Sequence, residues 1–316
     1  MSTTNLRDIT GGSPDPDHDP TADLLQSAQP RKRLSKRALY LRRFLRNKPA
    51  VVGAVIFAVI TLFALFGGFL AQFSFLDTDF LALSTPPDAT HWFGTNNAGN
   101  DLYAQTVHGL QRSLLIAVVV SIGTTVISAI IGASAAYFGG LYERVTLTVI
   151  HFLMVVPTFL ILAMISNSSG GDWRVIAVIL VLTGWFFPAR TIWTLALSLR
   201  ERDYVSAARF MGVRGFRIVL RHIIPNIGSL LIIQFTLGVV FTVLAETSLS
   251  FLGFGIKAPD VSLGALIGSG SNTITSAPWL FYFPAAALTL LTTSMALVAD
   301  GLRDAFDPTS SAGGRA

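Results

Sequence analysis

Very few residues in this chain of 316 could make or break bonds. It has no cysteine and only five histidines, scattered along its length. Thiol catalysis, disulfides and zinc–thiolate sites are therefore excluded. No nucleophile–base set and no metal-ligand spacing is apparent, so no catalytic residue, bound metal or enzymatic activity is expected. The sequence contains no G-x-x-x-x-G-K-[ST] phosphate loop, so it has no ATP site of that kind. Two features remain. Glu246 is an acid near the end of a long apolar run, a setting in which ionisable groups are often functional; this close to the surface, it could equally reach water or a backbone group. The other is the basic stretch Asp203–Asn226, DYVSAARFMGVRGFRIVLRHIIPN, with four arginines, two glycines and a proline.

The elements around these features belong in a membrane. The chain is 52% hydrophobic and 13% charged, with a mean hydropathy of +0.59. Soluble domains carry roughly 25% charged residues. A transmembrane helix needs about 20 mostly apolar residues, and six stretches qualify, near residues 50–73, 113–138, 146–165, 175–197, 227–248 and 280–299. Pro157 and Pro188 fall inside the third and fourth, where they predict kinks. The second carries small residues four apart (Ser121, Thr125, Ala129, Ala133, and beside them Ser128, Gly132, Ala136), a stripe that permits close helix–helix approach. No internal repeat is evident. The fold class expected is all-α and polytopic, with six transmembrane helices.

The net charge of +5 could suggest nucleic acid, but its distribution points to membrane topology. With the amino terminus inside, segments 1–49, 139–145, 198–226 and 300–316 hold 10, 1, 6 and 2 Lys/Arg, whereas the outer segments hold only Arg112, Arg174 and Lys257. Both termini are therefore expected in the cytoplasm. Residues 1–30, rich in Asp, Pro, Ser and Thr, read as a disordered tail. Residues 31–49 read as a basic juxtamembrane helix, with Leu34, Ala38, Leu41 and Leu45 at spacings of three or four, suited to an anionic inner leaflet or serving only as a topogenic charge cluster. The membrane domain is expected over 50–308, with a cytoplasmic loop at 200–226, and 309–316 as a tail. His151, Arg190 and Asp300 fall near inner ends of spans, where snorkelling costs little. Trp92, Trp173 and Trp279 fall near outer ends and fit an aromatic belt. The segment 252–279 is expected either to dip back into the membrane or to meet an extracytoplasmic protein. Asp101, Gly109 and Arg112 are expected to be structural.

A central arginine costs roughly 2.5–3.5 kcal/mol on insertion scales, so 203–226 stays out of the bilayer. Asp203 suits an N-cap and Gly212 a stop, with Tyr204–Met211 between them as a helix of about 12 Å at 1.5 Å per residue. Val205, Ala208 and Met211 form a small apolar stripe, and Arg202 and Arg209 stand seven apart. Such a helix could sit in another protein's groove, with Pro225 turning the chain into the fifth span; the alternative is a loop that is basic only for topology.

The pattern Ser206-Ala207-Ala208, three residues, Gly212, nine residues, His222-Ile223-Ile224-Pro225 resembles the "EAA" loop of binding-protein-dependent ABC importer permeases, in which Glu-Ala-Ala is followed by Gly and by Ile-x-Leu-Pro. Ser206 replaces the Glu, His222 the Ile and Ile224 the Leu. LRRFLRNKPAVVGAVIF, HWFGTNNAGNDLYAQTVHGLQRSL, AETSLSFLGFG and the last span with VADGLRDAFDP resemble the "C"-type subunits of dipeptide/oligopeptide permeases over roughly residues 40–308. Asn96, Asn100, Ala104, Gln105 and His108 depart from that pattern.

The resemblance implies a type I permease that forms half of a translocation pathway. It pairs with a homologous permease, two ATP-binding subunits that hold ATP and Mg, and an extracytoplasmic substrate-binding protein; this chain binds no cofactor. Peptides, dipeptides, nickel chelates or other small solutes are the implied cargo. The resemblance assigns ATPase coupling to Asp203, Tyr204, Val205, Ser206, Ala207, Ala208, Arg209, Met211, Gly212 and Pro225, with Glu246 the pathway candidate. A stand-alone secondary transporter or channel is the alternative, although no central acidic pair is present for ion coupling.

Overall fold

The computed structural model describes residues 36–306. The expected tails at 1–30 and 309–316, and the start of the basic segment at 31–35, lie outside the described residues. The chain divides into a unit ending at Leu41 and a unit beginning at Arg42. Helix α1, Lys36–Arg46, runs across that division; everything below concerns the second unit. Its helices are α2 (Lys48–Leu70), α3 (Leu102–Phe138), α4 (Gly140–Val155), α5 (Thr158–Ser168), α6 (Trp173–Gly184), α7 (Phe186–Arg200), α8 (Asp203–Phe210), α9 (Gly215–Ile218), α10 (Gly228–Phe251), α11 (Leu263–Ser271) and α12 (Trp279–Phe306). The described residues hold only two isolated antiparallel bridges, Thr78 with Asn100 and Thr95 with Asp101, and no longer strand.

Five helical runs are long and apolar enough to cross a membrane, and the bent pair α4 and α5 makes a sixth. The basic helix stops at Arg46, short of the expected residue 49, because Asn47 caps the next helix. Its side chain accepts from Ala50 N–H at 3.2 Å and donates to Asp304 at 2.9 Å. Along α2 the buried positions are Ala50, Gly53, Ile60, Ala64 and Gly67, a single seam. Val52, Val55, Val59, Leu62 and Phe66 stay exposed, the composition a lipid-facing side needs.

The second span begins eleven residues before the expected residue 113. Asp101 accepts from Ala104 N–H at 2.8 Å and starts α3 there. The added turns carry buried polar groups such as Gln105 and Thr106, which hide them from a hydropathy reading. Further along, Gln111 donates to Ala64 O at 2.6 Å, and Tyr103 donates to Gly67 O at 3.1 Å, tying α3 to α2.

At Pro157 the third span bends by 72° between α4 and α5, because proline offers no N–H to continue the helix. The fourth span breaks at Trp185, three residues before Pro188. There Trp185 O accepts from Ala189 N–H at 3.0 Å and from Ser128 Oγ at 2.9 Å.

The small-residue stripe of α3 is a seam. Ala129, Ala133 and Ala136 pack on Ile192 and Ala196 of α7. A Cβ at Gly132 would lie 2.4 Å from Ala189 O. Because that neighbour is backbone, Gly132→Leu should push α7 off and destabilise the fold by at least about 1–3 kcal/mol, the usual cost of overpacking. Gly228→Ala, whose added methyl meets nothing within 4 Å, should keep the parental midpoint. Thermal unfolding of the two purified variants in detergent measures the difference.

Candidate functional site

Helix α8 has eight residues, a length at which an isolated helix is marginal in water, so its neighbours must hold it. Asp203 does not cap it. Arg202 occupies the cap without a side-chain hydrogen bond, and Asp203 is the first helical residue, where its charge still suits the helix dipole. The helix ends as expected. Val213 N–H donates to Ala208 O at 3.1 Å and Gly212 N–H to Arg209 O at 3.0 Å, with Gly212 at φ +76. This is a Schellman turn, which needs a left-handed residue at the Gly212 position.

The expected docking stripe is corrected in part. Val205 and Ala208 are buried and pack on Ile218, Val213 and Tyr137. They anchor α8 to its own chain instead of presenting it. Arg209 lies 5.3 Å from the Tyr137 ring centroid, over the C-terminal end of α3. The face left outside comprises Tyr204, Ala207 and Met211, with Phe210 at 90% exposure; Ser206 is half-buried. Phe210 was missed from sequence. Only its size and its place between Arg209 and Met211 could have marked it, because its spacing puts it off the stripe.

Pro225 does not separate the loop from the fifth span. Residues 219–223 form a wide π turn and 224–227 a tight 3-10 turn, which carry helix α9 into α10. Ile224 N–H reaches back to Val219 O, and Asn226 Nδ2 donates to His222 O at 2.6 Å. Those two bonds hold the backbone together around the missing proline donor.

Glu246 is enclosed, at 1% exposure, and does not open toward water. Ser250 Oγ donates to its Oε1 at 2.6 Å, Oε2 has no hydrogen-bond partner, and the hydroxyls of Ser113 and Ser262 complete the surround.

The family model described as "binding-protein-dependent transport system inner membrane component" matches residues 128–311. A second, "N-terminal TM domain of oligopeptide transport permease C", matches 35–87. The oligopeptide transport system permease protein OppC of Mycobacterium tuberculosis is 45% identical over 280 residues, covering 87% of this chain and 96% of the relative. The chain belongs to the binding-protein-dependent transport system inner membrane component family. Among its relatives in Bacillus subtilis, OppC is 31% identical, over 88% of this chain and 92% of the relative, and the dipeptide transport system permease protein DppC is 34% identical, over 84% of each.

The chain is thus a multi-pass permease component of the cell membrane with a type I fold, and not an enzyme. A permease of this family works with ATPase subunits and a substrate-binding protein.

In this permease the segments 71–101 and 252–278, the latter containing α11, meet at one end. Asp260 binds two side chains of α3. His108 Nε2 lies 2.8 Å from Oδ1, and Arg112 Nε lies 2.7 Å from Oδ2 in an ion pair whose N–H is not aligned for a hydrogen bond. Arg112 also stacks over Trp173 at 4.6 Å. Asp101 pairs with His91 Nδ1 at 2.9 Å besides capping α3. At Gly109 a Cβ would lie 3.1 Å from Leu263 N. Asp101, Gly109 and Arg112 therefore do hold the loops. Trp279 donates to Thr95 O at 3.2 Å and Trp92 packs edge-on against Tyr103 at 5.0 Å, so both serve packing as well as any belt.

Burial pushes the Asp260 carboxyl up, but the His108 hydrogen bond, the Val261 N–H and Arg112 outweigh it and hold the group below its ordinary 3.8. A depressed carboxylate contributes stability that is complete above that ordinary value and is lost as pH falls through the lowered one. Asp260→Asn should lower the unfolding midpoint at pH 7 by a few degrees. The gap to wild type should close as acid carries the wild-type group through its lowered value, below pH 3.8. Thermal unfolding across that pH range checks both.

Proposed function

We propose that this permease forms half of the translocation pathway of an ATP-driven peptide importer. In this reading it pairs with a homologous permease subunit, two ATP-binding subunits that carry ATP and Mg, and an extracytoplasmic binding protein. The peptide cargo rests on the names of the relatives, which transport oligopeptides and dipeptides. Both termini and the 200–226 loop lie in the cytoplasm, as the Lys/Arg distribution supports. This chain contributes no cofactor site of its own.

The observation that carries the mechanism is the anchored, protruding α8. Its inner side is fixed to Tyr137 and Ile218 and its outer side ends in Phe210 and Met211. ATP draws the ATPase subunits together, their grooves carry α8, and the force passes through Tyr137 into α3. Moving a population from 1:99 to 99:1 takes about 5.5 kcal/mol of differential binding, so the link must be stiff. Asp203, Tyr204, Ser206, Ala207, Arg209 and Met211 supply the docking face together with Phe210. Val205, Ala208 and Gly212 fix its posture, and Pro225 shapes its exit into α10. Glu246 acts from behind the pathway, holding α10 to the Ser113 and Ser262 layer.

Gly212→Val forces a β-branched residue into a left-handed backbone. It should cut ATP-driven peptide uptake at least tenfold while membrane insertion and basal ATP hydrolysis persist. Phe210→Ala should release the ATPase subunits during co-purification. Coupled uptake by both variants at the parental rate would remove α8 from the mechanism. Reconstituted uptake assays with parallel phosphate release measure it.

A further inference from the structure

Helix α7 has two unlike faces. Ala189, Ile192 and Ala196 are buried against α3. Phe187, Arg190, Thr191, Thr194, Leu195 and Ser198 recur at spacings of three and four on the other side, where they line an open groove of about 570 Å3 with Leu230. Arg190, Thr194 and Ser198 are exposed, and among the described residues no acid lies within ion-pair distance of Arg190. The three hydroxyls donate to carbonyls of their own helix, at 3.3 Å for Thr191, 3.1 Å for Thr194 and 2.8 Å for Ser198. Among the described residues they cross-link to no neighbouring helix and keep their acceptor lone pairs free.

Depth makes this face unusual. Arg190 is ten residues before Arg200, the last residue of α7, about 15 Å along the axis at 1.5 Å per residue. The apolar run Trp173–Arg200 is longer than the 175–197 expected from sequence, so Arg190 lies within the span and not at its inner end. A guanidinium turned to hydrocarbon within a span is disfavoured. This face must therefore meet water, a counter-charge or a ligand.

We propose that the 187–198 face of α7 is a water-lined section of the translocation path and that Arg190 is its recognition group for a carboxylate of the passing solute. The inference rests on the peptide-importer reading above and names the chemistry its path selects. A guanidinium offers a planar fork of donors that matches a carboxylate in bidentate fashion. The hydroxyls of Thr194 and Ser198 give the displaced water partners along the groove. Phe187 and Leu195 wall it with apolar surface that imposes no polar pattern on variable side chains.

The chain has no cysteine, so Thr194→Cys and Ser198→Cys each give a single reporter in the full importer, once cysteines of the other subunits are removed. The probes are the anionic 2-sulfonatoethyl and the cationic 2-(trimethylammonium)ethyl methanethiosulfonates. Both variants are expected to label. Adding Arg190→Gln should lower the anionic-to-cationic rate ratio about tenfold, the size expected of one unit charge a few ångströms away in partly hydrated surroundings, while Arg190→Lys should preserve it. Arg190→Gln should also slow uptake of a tetrapeptide with a free carboxyl terminus more than it slows ATP hydrolysis. Two results overturn the proposal. One is that neither cysteine labels in a complex that transports, which puts this face against lipid or a partner's acid. The other is a ratio that Arg190→Gln leaves unchanged. The peptide-importer reading fails separately, on absent ATP-driven tetrapeptide uptake by the parental complex, a readout independent of the labelling ratio.

Discussion

Lipid gives two helices no hydrophobic reason to touch, so their contact depends on how closely their backbones can approach. That constraint organises this permease. Gly132 brings the α3 backbone against Ala189 O, and Ala129, Ala133 and Ala136 continue the seam. A second seam joins α2 to α12, where a Cβ at Gly53 would lie 2.6 Å from Leu297 Cβ and one at Gly301 2.1 Å from Ala50 Cβ. The rest follows from these two contacts. The α3–α7 seam spends the small residues of α7 on α3 and leaves its arginine and hydroxyls facing away. The same α3 carries Tyr137, on which α8 rests, one residue before its end at Phe138.

The second constraint is that backbone groups freed inside a membrane must be satisfied by the protein. Pro157, Pro188 and Pro225 meet it in three ways. At Pro157 the chain abandons one axis for another, and Leu160 N–H takes up Pro157 O at 3.0 Å to restart the helix. Near Pro188 the break is local, and Trp185 O accepts from both Ala189 N–H and the Ser128 hydroxyl of α3. At Pro225 a π turn and a 3-10 turn absorb the misfit, and Asn226 closes the gap. One residue type thus yields a 72° bend, a break within a span and a continuous distorted helix. The neighbours decide which.

That dependence on neighbours marks where the sequence could and could not be read. The spans were legible because hydropathy acts over whole segments. The stop at Gly212 was legible because a left-handed turn has a local signature. The early start of α3 was not, since Asp101, Gln105 and Thr106 look like loop residues until their burial is known. The link from His108 and Arg112 to Asp260 joins positions about 150 apart in the chain, and no local spacing announces it. Glu246 was located correctly along the chain, but whether it met water or serines depended on Ser113 and Ser262 from other elements. For α8 the periodicity of Val205 and Ala208 was real. What it could not say was which side of the helix the protein keeps for itself.

That last ambiguity has a physical answer. Eight residues do not hold a helix in water, so a helix this short has to bury a stripe against its own scaffold. Val205 and Ala208 do so, and Arg209 adds a cation–π contact to Tyr137 at 5.3 Å. What remains for a partner is the complementary face, which ends in the exposed Phe210 and Met211 and is flanked by the exposed Arg202, Arg214 and Arg217. Under the proposed role, a receiving groove would need an apolar floor for Phe210 and acidic walls for the arginines. Ser206 stands where the resembling family has a Glu, which leaves this face with less negative charge of its own. Electrostatic complementarity would then have to come from the receiving side.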